Sequence, residues 1–72
     1  MAFREFSSFT SSNIRSIAYD ADSSTLRVSF LNGGIYEYYS VPSRVADEFE
    51  RAASKGTFLA AHIKGLYRYS RV

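Results

Sequence analysis

Between Arg51 and the C-terminus, cations and aromatic rings are interleaved without a single acid: Arg51, Lys55, Lys64, Tyr67, Arg68, Tyr69 and Arg71. Guanidinium and ammonium groups neutralise phosphates, and exposed rings stack on unpaired bases. Residues of these types in this order point to RNA or another single-stranded nucleic acid. Tyr39 and Arg27, further upstream, could contribute from an open sheet face. The competing reading is structural. Tyr67 and Tyr69 would then cover the edge of a small core, and the cations would only keep the chain soluble.

Catalytic chemistry finds less support. His62 is the only histidine, and no feature of the sequence positions a serine nucleophile or a carboxylate against it. Asp20 and Asp22 imitate the start of a calcium loop, but the glycine at the sharp turn and the closing glutamate are missing. A polar turn is the simpler reading. Phosphate loops, dinucleotide fingerprints and zinc spacings are absent. The sequence therefore predicts a non-enzymatic binding module with no metal and no cofactor.

Composition bounds the setting. Seventy-two residues make one domain near the lower limit for folding without staples, and six Phe with six Tyr supply the core that length alone would not. The absence of cysteine excludes disulfides and thiolate metal sites and fits a reducing, cytoplasmic location. No apolar run approaches the ~20 residues of a membrane span. The start, "MAFREFSSFTSS", lacks a continuous apolar stretch and is not expected to be a signal peptide. Charge is uneven. Residues 1–50 hold four arginines against seven acids, a balance of −3, while residues 51–72 hold five cations and no acid, a balance of +5. The acidic part suits a basic protein surface as well as the basic part suits a polyanion.

The elements that must position these residues follow from periodicity. Residues 1–11 read as a flexible or loosely packed lead-in, rich in Phe and Ser, and residues 12–72 as a single domain. "NIRSIAY" has strand composition, but Ile14 and Ile17 break strict alternation and imply a bulge. In "TLRVSFL", Leu26, Val28 and Phe30 share a face. A two-residue hairpin loop would bury Glu37. The three-residue loop Leu31-Asn32-Gly33 instead pairs Val28 with Tyr36, Leu26 with Tyr38 and Arg27 with Glu37. Tyr36 and Tyr38 then join the core with Leu26, Val28, Phe30, Val45 and Phe49. A main helix from about Pro42 to Lys55, stopped by Gly56, covers the sheet through Val45, Phe49, Ala52 and Ala53. A short second helix ends at Gly65, and "LYRYSRV" is an extended segment or edge strand. The fold class is α+β: a three-stranded antiparallel meander packed by one main helix, then a short helix and an extended basic segment.

Taken in order, Ser12, Ile14, Ile17 to Asp20 ("IAYD"), Leu26, Phe30, Tyr36-x-Tyr38, Val41-Pro42, Ser54-x-Gly56, Phe58, Ile63-Lys64 and Tyr67 resemble the KTSC domain over about residues 11–71. That is a short bacterial and phage module named for its occurrence at the C-terminus of some lysyl-tRNA synthetases. The resemblance implies a stand-alone or appended domain, with RNA, including transfer RNA, as a suggested partner through the synthetase linkage. One departure is Ala18, where the family's usual residue is glycine. Two readings stay open: nucleic acid held by the basic, aromatic C-terminal surface, and a larger protein docked on the N-terminal arm (Phe3, Phe6) or the sheet edge.

Overall fold

The loop at Leu31-Asn32-Gly33 sets the frame from which the sheet is built. In the computed structural model, which describes residues 2–72, Gly33 has φ +97°, a region closed to most side chains. Its N–H donates to the Phe30 carbonyl at 3.0 Å, and the Phe30 N–H donates to the Gly34 carbonyl at 2.8 Å. This closure pairs β3 (Thr25–Phe30) with β4 (Ile35–Tyr38) at Leu26–Tyr38, Arg27–Glu37 and Val28–Tyr36. The hydrophobic alternation predicts that register. On the face away from the helices, Arg27 and Glu37 form an ion pair at 2.8 Å.

The antiparallel sheet has five strands rather than three, in chain order. Both additions come from the ends of the chain. The lead-in supplies β1 (Arg4–Glu5), paired with Tyr19 and Ala18 of β2 (Ile14–Asp20). Phe6 follows it into the core, edge-on to Phe49 at 5.5 Å. Glu50 anchors this arm, reaching Arg4 at 3.2 Å and accepting the Ser7 N–H at 3.2 Å. Residues expected to pack loosely are thus tied down in part, while Met1 lies outside the described residues. Two paired residues are too few for alternation to reveal. The C-terminal segment supplies β5 (Tyr69–Arg71), paired with β4 at Tyr36–Arg71, Glu37–Ser70 and Tyr38–Tyr69. In β2 the register shifts between Ile14 and Ser16, where a bulge is expected.

The main helix expected from about Pro42 to Lys55 stops four residues early, and the expected short second helix begins at Lys55. The first, α1 (Ser43–Arg51), ends where Ala52 turns extended at ψ 138°. Ser54 then caps α2 (Lys55–Phe58), its Oγ accepting the Thr57 N–H at 3.3 Å. The break returns Leu59 and Ile63 to the core, where both are buried. Helix α2 continues into a wider turn, Leu59–Ile63, closed by the Lys64 N–H on the Leu59 carbonyl five residues back. Gly56 lies inside α2 and stops nothing; the left-handed stop is Gly65, at φ +80°.

Leu26, Val28, Tyr38 and Phe49 are buried as expected. Phe30, Tyr36 and Val45 are only half-buried and pack at the margin of the core. Phe30 and Tyr36 lie on the predicted strand face, but helix cover does not extend fully over the hairpin end. No helix among the described residues is long and apolar enough to cross a membrane.

Candidate functional site

Because residues opposite one another in an antiparallel pair share a face, β4 and β5 bring Tyr36, Tyr38, Tyr69 and Arg71 to the helix side of the sheet. The helices bury Tyr38 but leave Tyr36 half-buried and Tyr69 60% exposed. An open groove of about 780 Å³ results, floored by Phe30, Tyr36, Tyr38 and Tyr69 and bounded by Lys64-Gly65, Ser12-Asn13 and Leu31-Asn32. Phe30 meets Tyr36 edge-on at 5.6 Å, while Tyr69 lies 5.9 Å from Tyr36 and 5.7 Å from Tyr38. The Lys64 ammonium stands 6.0 Å from the Phe30 ring centroid. None of the lining residues is acidic.

Burial, then the neighbouring Tyr69 and Tyr36, push the Tyr38 hydroxyl above the ordinary tyrosine value, so it stays protonated at neutral pH. The groove can therefore offer π-faces for a planar group and a cation for an anionic one. Asn32 is fixed by its Oδ1, which accepts the Gly34 N–H at 3.0 Å. Its amide nitrogen makes no hydrogen bond within the described residues.

The nine residues that the sequence nominates do not form one patch. Lys64 and Tyr69 line the groove, and Arg71 stands opposite Tyr36 in the ladder beside it. Tyr67 is half-buried against the core. Arg68 falls opposite Tyr39, whose N–H donates to the Arg68 carbonyl at 2.8 Å, so alternation turns both toward the other face. There the half-buried Tyr39 reaches Glu37 at 3.4 Å. Arg27 is held between Glu37 and the Phe3 ring, 3.9 Å from its centroid. Lys55 is buried, and its Nζ donates to the Ala52 carbonyl at 2.6 Å, satisfying a group that the end of α1 leaves open. Arg51 is exposed in the last turn of α1 and does not line the groove.

Sequence reading missed the groove's other walls. Phe30 and Tyr36 are read there only as core, and Ser12, Asn13 and Asn32 carry no signal beyond loop chemistry. Among the described residues, no three His, Asp or Glu side chains gather as metal ligands.

Comparison with known proteins gives a consistent picture. The family model described as the KTSC domain matches residues 10–69. A lysine–tRNA ligase of Nostoc sp. is 38% identical over 59 residues, which is 82% of this chain and 10% of the ligase. The ligase of Trichormus variabilis is 36% identical over the same shares. The chain thus spans about a tenth of the length of these ligases. An uncharacterized protein of Stutzerimonas stutzeri is 36% identical over 63 residues, 86% of this chain and 89% of that protein. The crystal structure of a KTSC domain protein from Yersinia pestis superposes with a TM-score of 0.90 at 37% identity, covering 99% of both chains. A shared fold over nearly the whole length, together with the family pattern through most of it, means that this chain belongs to the KTSC domain family.

Proposed function

We propose that this domain is a non-catalytic, cytoplasmic binding module that takes RNA or another single-stranded nucleic acid at the aromatic groove. The carrying observation is the exposed Tyr69 ring beside Tyr36 and Phe30, with Lys64 and Arg71 as cations and no acid in the lining. Stacking and phosphate neutralisation would act there together. The names of the ligase relatives, which place transfer RNA among those enzymes' substrates, favour RNA within this class.

The test is a fluorescence-anisotropy titration of labelled single-stranded RNA, transfer RNA and duplex DNA at about 50 and 200 mM salt. Micromolar binding that survives the higher salt and prefers one nucleic-acid class is expected. Tyr69→Ala should weaken it roughly tenfold, since one stacked base is worth about 1–3 kcal/mol. Arg71→Ala should weaken all sequences alike and lower the salt slope by about 1. Equal, weak binding to all three ligands, abolished by salt and indifferent to Tyr69, would overturn the reading.

A protein partner is the second reading, and one observation favours it. β5 ends the sheet, and all three of its residues are exposed. An extended peptide could add there as a sixth strand. The N-terminal arm is less available, with Phe6 buried and Phe3 packed on Arg27. Tyr69→Thr separates the two readings: it keeps the edge backbone and removes the ring. A strand-adding partner would retain its affinity, and a nucleic acid would lose it.

A further inference from the structure

The groove's rings are not parallel. Phe30 and Tyr36 are inclined by 83°, Tyr36 and Tyr69 by 48°, and Tyr38 and Tyr69 by 37°. A run of stacked bases needs a succession of nearly parallel faces, and these faces turn away from one another. A single base can match one of them. The groove's volume, about 780 Å³, falls within the ~300–1,000 Å³ of sites for small molecules.

The polar groups suit the rest of a nucleotide. Lys64 forms no ion pair among the described residues, and its ammonium stands 6.0 Å from the Phe30 ring centroid. It is a cation with no ion-pair partner among the described residues, at the wall of an aromatic groove. Asn32, held by Gly34 and also lining the groove, makes no hydrogen bond through its amide N–H groups among the described residues. From these positions we infer that the groove binds one nucleotide, its base on the exposed Tyr69 ring, its phosphate at Lys64 and a base acceptor at the Asn32 amide. This rests on the nucleic-acid reading and narrows it. The groove captures a single splayed-out nucleotide of a strand, and a free mononucleotide carries everything the groove recognises.

The experiment is an NMR titration of the ¹⁵N-labelled full chain with AMP, adenosine and inorganic phosphate. AMP should move the amides of Asn32, Gly33, Gly34, Gly65 and Tyr69 and bind at least roughly tenfold tighter than adenosine, as a charge-assisted contact predicts. Phosphate alone should bind far more weakly than AMP. Lys64→Ala should bring AMP down to the affinity of adenosine, and Tyr69→Ala should weaken both nucleotide and nucleoside. Equal affinities for AMP and adenosine, equal affinities for AMP and phosphate, or shifts outside the groove would each overturn the inference. An oligonucleotide that binds in a Tyr69-dependent manner while AMP does not would overturn the single-nucleotide site and leave the nucleic-acid reading standing. If neither binds, both fall.

Discussion

Tyr38 shows how one side chain links packing to pH. Its ring is buried between the sheet and the helices, and the Tyr36 and Tyr69 hydroxyls near it disfavour a phenolate. Folding therefore holds a proton on Tyr38 at pH values where the unfolded chain would release it. Stability from this source is complete below the ordinary tyrosine pKa of 10.0 and is lost as pH rises from there through the raised folded value. Denaturant titrations between about pH 8 and 11 should show a steeper alkaline loss in the native chain than in Tyr38→Phe. Equal slopes would mean that another group governs the alkaline limb. Lys55 carries the opposite lesson. Its charge counts toward the basic end of the sequence, yet the side chain is buried and its ammonium donates to the Ala52 carbonyl.

At the scale of elements, the break after α1 and the stop at Gly65 shape the wall of the groove. Gly65 has φ +80° with nothing within 4 Å of a would-be Cβ, so backbone conformation alone demands glycine there. Gly65→Ala should cost about 1–2 kcal/mol, the penalty of left-handed backbone for a residue with Cβ. Gly56 lies inside α2, where a Cβ would meet only the Asn13 Oδ1 at 3.4 Å. Gly56→Ala should leave stability level or raise it by up to about 1 kcal/mol through helix propensity. Thermal melts of the two variants test the division. A Gly56→Ala loss as large as that of Gly65→Ala would place the helix stop where periodicity first suggests it.

For the whole molecule, the question is how far two short helices can cover five strands. A chain of this length holds on the order of 4–10 kcal/mol of net stability, so each large ring matters. Phe49, fully buried and in contact with both Phe6 and Phe58, sits at the centre. Phe49→Ala should remove about 3–5 kcal/mol and unfold much of the population. Tyr36, half-buried at the groove, should cost only about 1–2 kcal/mol on replacement by Ala. Urea midpoints decide between them. A Tyr36→Ala variant as unstable as Phe49→Ala would make the groove part of the core and not a place for a ligand.

Much of this arrangement is legible in the residues themselves. Alternation in Thr25–Leu31 and Ile35–Tyr38, joined by a loop that must spare Glu37 from burial, determines the register and the face of every side chain in that hairpin. Local chemistry also marks the bulge near Arg15 and the end of the second helix at Gly65. These features depend on neighbours in sequence or on one short-range pairing. What the tertiary structure alone decides is cover. Alternation assigns Tyr36 and Phe30 to the helix face, but whether a helix reaches them depends on where Ala52 breaks the chain and how Leu59 and Ile63 dock. The pairing of β1 and the packing of Lys55 beside Phe9 likewise rest on contacts between distant segments. Periodicity records which way a side chain points. Only long-range packing decides what, if anything, lies on top of it.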